Sequence, residues 1–540
     1  MNVVIVGGGI AGLRLGLRLL EADEETRVTV LEAQDRLGGR IHTVYNSSGQ
    51  AILETGAWRI PSTHRRMISL CKELELELIE VESENADVST TAWLKCAQEP
   101  SCNARANSQI DSNIKYGISM WDALAAQQGV PCAEEQVAET GYAGADAMAL
   151  GTNAYDVEAI FQSTKQDHPK SYWVPKAGLS AICGELASRI RKHENRACIH
   201  LQSRAIRVET LNAFHTKRFR LSAMLRVGKN SYCTRAFECD SIVLAIPPEQ
   251  AKKIAGVQSL ISPVLETLQG IPLFKAFCVL DESLRTALGL QAQAFHIKAN
   301  NLCQQLISST YPNQDLIQLA YCSGQRADAL EHFRLCGKGR SVIANDIARI
   351  ALDNPLAQER IRALLRQRRM RFYYWKNAVH IWRPTVASLQ IQEKSREACV
   401  LPHTKIPGVF LCGEAYSTMQ GWSEGALETV EHVYSVLGAL RTSWMHTPAR
   451  DLAMMIAAIS DLNLAFVSQI PRHSVVLFGR LLDVTNWKKV HPGSRAAIEN
   501  HLGEDVSYLF EGALHPSYAR GIGFALQYGW LQCTNAPTST

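Results

Sequence analysis

A chain of 540 residues with a 46% hydrophobic share and 20% charged residues is globular, with room for roughly three or four domains. Its formal charge of +4 is too small for this length to support nucleic-acid binding. The densest basic stretch, Arg360, Arg362, Arg366, Arg368, Arg369 and Arg371, is broken by Leu and Met at helical spacing and reads as a solvated helix face.

No secretory peptide is expected, because Met1-Asn2-Val3-Val4-Ile5-Val6 runs directly into a glycine loop. The most apolar helical stretch, 452–459, is far short of the roughly 20 residues a bilayer needs, so no membrane partner is expected. The 15 cysteines are scattered and include no C-x-x-C pair, which reads as reduced thiols and a cytoplasmic location.

In chain order, an apolar strand at 3–6, a glycine turn, a leucine-rich helix over 12–22 and an alternating strand at 28–31 open a doubly wound sheet. Residues 1–63 form the first part of a nucleotide domain, and 64–170 a helical insert over the substrate. Residues 171–265 return to the first sheet through strands at 197–208 and 240–246. Residues 266–385 build a second domain on strands at 276–280, 316–321 and 372–375. The strand at 409–412 brings 386–440 back to the nucleotide fold. Residues 441–465 read as a linker and 466–540 as a separate module. The fold class is therefore α/β, α+β overall: a two-domain doubly wound fold with a mixed-sheet substrate domain and a helical insert, plus a small α+β domain.

Gly7-Gly8-Gly9-Ile10-Ala11-Gly12 fits G-x-G-x-x-G. Gly7 permits the tight turn, Gly9 the approach of a pyrophosphate and Gly12 close helix packing, with the helix N-terminus donating to phosphate. Glu32, twenty residues after Gly12, is placed to accept from a ribose hydroxyl. An ordinary tight loop would explain the glycines alone, but not strand, helix, second strand and acid in register.

Two further segments accompany this one. Asp35-Arg36-Leu37-Gly38-Gly39-Arg40 and Leu411-Cys412-Gly413-Glu414-Ala415 with Gln420-Gly421-Trp422-Ser423-Glu424-Gly425-Ala426 resemble the second and C-terminal FAD elements of the flavin-containing amine oxidases. The resemblance spans about residues 1–440. It implies FAD contacts from Gly7, Gly9, Ile10, Ala11 and Gly12, and at the next strand end from Glu32 and Ala33. It assigns Arg40, beside Gly39, to the pyrophosphate, and the backbone around Ala205 to the adenine. It further implies contacts from Gly56, Ala57, Trp58 and Arg59, then from Glu414, Gly421, Trp422 and Ser423. The stretch 375–384 carries no cysteine, so noncovalent FAD is expected.

Glu54-Thr55-Gly56-Ala57-Trp58-Arg59-Ile60-Pro61 resembles the L-amino-acid oxidase version of the family, which implies that Arg59 grips a substrate carboxylate. A guanidinium presents a planar fork that suits this task; outside the family context a surface salt bridge would be the simpler reading. Tyr321 stands where such oxidases place a second carboxylate donor, or is a half-buried strand aromatic. Lys275, in Pro272-Leu273-Phe274-Lys275-Ala276-Phe277, is a charge in an apolar strand and should either reach solvent or have a task; the resemblance implies that it holds a water against the flavin. Trp422 matches the residue that walls the flavin face in that family, or is core packing; Tyr142 is a lid candidate, and Trp375 and Trp382 line the pocket or belong to the core.

The run from Gly141-Tyr142 to Ala154-Tyr155-Asp156, the Pro-Leu-Phe-Lys strand and Tyr374-Trp375-Lys376-Asn377 resemble the bacterial tryptophan oxidases. They imply a large or aromatic L-amino acid as the small-molecule substrate. Its Cα hydrogen would leave as hydride, giving an imino acid, then a 2-oxo acid and ammonia, with oxygen taken to hydrogen peroxide.

Finally, residues 474–487, His491-Pro492-Gly493-Ser494 and His515-Pro516 resemble the cytochrome b5 family. His491 and His515 would clamp a haem b iron from both sides, leaving electron transfer as its chemistry. The sequence departs from that family at Ser494 and Pro516, and two surface histidines on a degenerate b5-like domain are the alternative. The acceptor, oxygen or haem, stays open at this point, as does a homo-oligomer.

Overall fold

The computed structural model describes residues 1–81, 171–211, 215–229, 231–290, 295–298, 301–308, 316–349, 354–383, 388–400, 408–440, 474–477, 480–484 and 496–502. Tyr142, His491, His515, the 441–465 linker and most of the 64–170 insert lie outside them. Among the described residues no helix is long and apolar enough to cross a membrane.

The first layer is a parallel sheet in the order Val409–Leu411, Ser241–Leu244, Asn2–Val6, Arg27–Leu31, Ala197–His200. Its central strands are continuous apolar runs because helices cover them. The helix Ile10–Ala22 buries Leu13, Leu15, Leu17, Leu19 and Leu20. A helix so nearly apolar all round must be enclosed, and it packs against Ser180–Arg191, Ser423–Leu440 and the Arg27–Leu31 strand. Its two arginines turn outward, Arg14 to Glu73 and Arg18 to Glu431.

The apolar stretch read as one strand at 197–208 is two. Ala197–His200 closes the parallel sheet, whereas Ser203–Thr210 joins Phe219–Arg226 and Tyr232–Cys239 in a separate antiparallel sheet. The corner is Gln202, whose left-handed backbone (φ 51°) cannot continue a strand. The opening of the insert, expected to be helical, contains the strand Leu78–Val81 after the helix Arg65–Glu73; this strand pairs with Tyr172–Pro175, which also pairs with Ile60–Pro61.

The second layer orders Phe295–Lys298, Gln305–Ser308, Leu316–Ser323, Leu268–Val279 and Arg371–Trp382. Among the described residues every pairing is antiparallel, where a mixed sheet is expected, because the long strand Leu268–Val279 runs opposite to both neighbours and the outer strands follow as a short meander. Alternation divides its residues between two faces. Phe274, Ala276, Leu319 and Cys322 pack on the helices Gly324–Leu335, Gly339–Ala348 and Pro355–Gln367. Leu273, Ile307 and Tyr321 form a second cluster with Trp58, Trp375 and Ala378. Near the C-terminus, Ser474–Leu477 and Arg480–Asp483 pair as an antiparallel hairpin.

Gly12 shows how tightly the nucleotide turn is drawn. A Cβ there would stand 2.1 Å from the Gly7 carbonyl oxygen, a contact with backbone that cannot rotate away. Gly12→Ala is expected to lose roughly 1–3 kcal/mol of stability and to purify without yellow colour. Thermal melting and the absorbance ratio of the isolated variant check this.

Candidate active site

The two glycine segments of the nucleotide turn are joined directly. Gly38 N donates to Gly8 O at 2.9 Å, and Gly9 and Gly38 form a bridge. Arg36 braces the second loop from inside by donating to the carbonyls of Leu37, Gly39 and Ile41. Glu32 is nearly buried; its carboxylate accepts from Gly8 N and Gln34 N, both at 2.8 Å. Its own carbonyl accepts from Ser203 N at the start of the strand that carries Ala205, which places Glu32, exposed Ala33 and Ala205 at one end of the cradle.

The third segment meets the second through Arg40. Its guanidinium donates to Glu414 Oε2 at 2.6 Å and to Ala378 O at 2.9 Å. Glu414 Oε1 accepts in turn from Gly421 N at 2.6 Å, next to Trp422 and the helix that begins at Ser423. Arg40 and Glu414 are thus paired with each other, and contact with a cofactor's phosphate or sugar would run beside this ion pair.

A dinucleotide fits these loops. Cβ atoms built on Gly9, Gly39, Gly413 and Gly421 meet no atom closer than 3.8 Å, so the backbone of all three elements has an open face. Glycines that merely make tight packing look different: at Gly56 a Cβ would sit 1.9 Å from Arg40 O.

Lys275 does not reach solvent. It is 0% exposed, with Nζ 2.7 Å from Gly56 O, 3.3 Å from Glu54 O and 4.9 Å from the centre of the Tyr321 ring. Burial lowers its pKa to about 7, with Glu54 opposing that shift and Arg59 adding to it. Burial likewise raises the Glu54 carboxyl to about 7, against hydrogen bonds from Leu179 N and Thr43 and the charge of Lys275. Both groups move toward their neutral forms.

Arg59 stands over two aromatic rings, its Cζ 3.8 Å from the centre of Tyr172 and 4.6 Å from that of Trp58. Trp375 packs with Leu273 and Tyr321, and its Nε1 donates to Thr55 O at 2.8 Å. Trp382 is core, buried, with Nε1 on Ser417 O at 2.9 Å. Trp422 meets His64 edge to face, with ring centres 4.8 Å apart. Arg59, Tyr321, Lys275 and Trp375 are therefore neighbours around one cluster, and Gly421 and Trp422 are tied to Arg40 through Glu414.

Sequence reasoning did not single out Tyr172, His64, Glu249 or His380. Burial, with the charge of Arg66 beside it, drives the His64 pKa down to about 3, so its ring is neutral. His380 carries the same signal that exposes Lys275, an ionisable side chain inside an apolar strand. Tyr172 carries none, because only the pairing of Ile60–Pro61 with Tyr172–Pro175 brings it to Arg59.

A parallel doubly wound sheet with this cradle defines a dinucleotide-binding fold. Residues 10–98 match the flavin containing amine oxidoreductase family, and residues 464–526 match the cytochrome b5-like heme/steroid binding domain. The cofactors that these two matched segments imply are FAD for the first and haem for the second. Mouse L-amino-acid oxidase is 46% identical over 77 residues, 14% of this chain and 12% of that protein. The flavin-containing amine oxidase A of horse is 46% identical over 80 residues, 15% of each chain. These matches span less than a sixth of the relatives' own length. Wild-type putrescine oxidase bound to putrescine superposes with a TM-score of 0.55 at 17% identity, over 81% of this chain and 99% of that one, a likeness of fold.

Proposed function

We propose that the protein catalyses oxidative deamination of an L-amino acid with a large or aromatic side chain. The observation that carries this reading is Arg59, a cation held on Tyr172 and Trp58 close enough to Lys275 to depress its pKa. A simple amine is itself a cation and gains nothing from that neighbour; an amino acid brings a carboxylate, the group a guanidinium binds with paired hydrogen bonds.

The residues divide the work. Arg59 binds the carboxylate and Tyr321 supports it, which leaves the substrate one orientation about Cα. Lys275, close to neutral and lodged on the Gly56 carbonyl, is placed to hold a water and exchange a proton. Trp58, Trp375, Tyr172 and Trp422 exclude solvent and offer aromatic surface to the side chain. The chemistry that a bound FAD would supply is two-electron oxidation at Cα, with oxygen as the final acceptor and hydrogen peroxide as its product. The imino acid hydrolyses to a 2-oxo acid and ammonia. The b5-like segment at 464–526 favours a second reading, in which electrons leave through haem.

An anaerobic mixing screen tests the proposal, with L-amino acids, D-amino acids and decarboxylated amines read at flavin and haem wavelengths. Large L-amino acids should bleach the flavin, while D-forms and amines should not. Faster bleaching by amines, or none by any compound, would overturn it. Under air, stoichiometric peroxide assigns oxygen as acceptor; a reduced haem band without peroxide assigns the second reading.

A further inference from the structure

The antiparallel sheet meets the nucleotide domain at His380, which is completely buried in the strand Arg371–Trp382. Its Nδ1 lies 3.2 Å from Glu414 Oε2 and its Nε2 3.2 Å from Glu249 Oε2. Glu249 sits in the short helix Pro248–Ala251, just beyond the strand Ser241–Leu244 of the parallel sheet. Gly270, the register partner of His380, leaves room for Asn377 and Glu249: a Cβ there would stand 2.7 Å from Asn377 Oδ1 and 2.9 Å from Glu249 Oε1. The backbone N of His380 also donates to Glu414 Oε1 at 3.0 Å. One histidine thus joins segments that are 131 and 34 residues away in sequence.

A neutral imidazole has one N–H. In this position it would turn a lone pair toward one of the two carboxylates at 3.2 Å. Two N–H donors satisfy both. The charges then balance locally: Glu249 and Glu414 are negative, His380 and Arg40 positive. Arg40 is the other cation facing the ring, with Nη1 3.5 Å from Nδ1, and its charge is already engaged by Glu414.

We infer that His380 is a positioning residue, a doubly protonated bracket between Glu249 and Glu414 that keeps Glu414 seated on Arg40 and on the Gly421 amide. This rests on the assignment of the Gly421 loop to the FAD cradle. Losing the bracket's proton would leave Glu414 facing a lone pair and loosen the loop that adjoins Trp422. Burial opposes the charged ring, but hydrogen bonds to Glu249 and Glu414, with the charge of Glu414, outweigh it and raise the pKa above 6.5. The sign follows: the bracket is complete below 6.5 and is lost as pH rises through the higher value of the folded state.

FAD release from the full-length holoprotein, followed by recovery of flavin fluorescence between pH 6 and 9, tests this. FAD affinity should fall in one single-proton step above pH 6.5. His380→Gln should bind FAD roughly tenfold or more weakly at pH 6.5 and show no step. Glu249→Gln removes one carboxylate that holds the proton, so it should keep the step but move it to lower pH. Lys275→Met, which removes another group titrating near neutrality, should leave the step in place. A flat wild-type profile, a step that survives in His380→Gln, or one that Glu249→Gln leaves unmoved would overturn the inference. Failure of the wild-type protein to bind FAD at any pH would instead sink the functional reading on which it rests.

Discussion

Replacing Arg59 with methionine should lower kcat/KM for a good L-amino acid substrate by roughly 10²-fold or more, while the matching decarboxylated amine loses less than about tenfold. A hydrogen-bonded charge pair shielded from water is worth about 2–5 kcal/mol when one partner is truncated. Methionine keeps apolar contact with Tyr172 and Trp58, so the change reports on charge and fork geometry more than on volume. Arg59→Lys should fall between, because an ammonium keeps the charge but neither presents a planar pair of donors nor stacks as well. Arg59 helps hold the Lys275 pKa down, so its removal should move the acidic limb of the pH profile upward. Steady-state kinetics on the substrate pair decide the matter. Equal losses on amino acid and amine would mean that Arg59 supports the fold and does not read the carboxylate.

Lys275→Met should separate activity from stability. Its kcat should fall by roughly 10²- to 10⁴-fold, the usual range for a positioned proton-transfer group, yet its melting temperature should rise. Burying an amine is costly, and methionine fills a similar space without that cost. A gain of about 1–2 kcal/mol is expected, in line with stabilising replacements at strained functional positions.

The pH dependence fixes the sign. The folded-state pKa of Lys275 is about 7 against an ordinary 10.5, so between those values the unfolded chain binds a proton that the folded chain does not. Wild-type stability should therefore rise across that window, and the variant should lack the slope. Its advantage should be greatest below about pH 7 and vanish toward 10.5. Thermal melts at several pH values, paired with rapid-mixing bleaching, measure both. A destabilised variant would show that Lys275 is a structural donor to Gly56 and Glu54.

How much of this was legible in advance depends on the reach of each contact. The nucleotide turn could be read because its parts lie close in sequence: Gly8 N and the Glu32 carboxylate are 24 residues apart, joined by one helix and one strand of predictable rise. Lys275 was legible as a cost, a charge among apolar neighbours, but its partner Gly56 O is 219 residues away and follows only from the docking of the two sheets. Trp375 and Trp382 share one strand and could not be told apart by composition. One reaches Thr55 O in the site, the other Ser417 O in the core.

Arg59 itself could be picked out by its motif, whereas the ring of Tyr172 on which it lies comes from strand pairing across the insert. His380 is the clearest instance of the second kind. By itself the sequence determined the doubly wound nucleotide fold, the three glycine elements and the identity of the ionisable groups, since periodicity and short-range spacing encode local geometry. Only the tertiary structure decided which of those groups lose their water and face one another, because desolvation and pairing arise where segments hundreds of residues apart are pressed together.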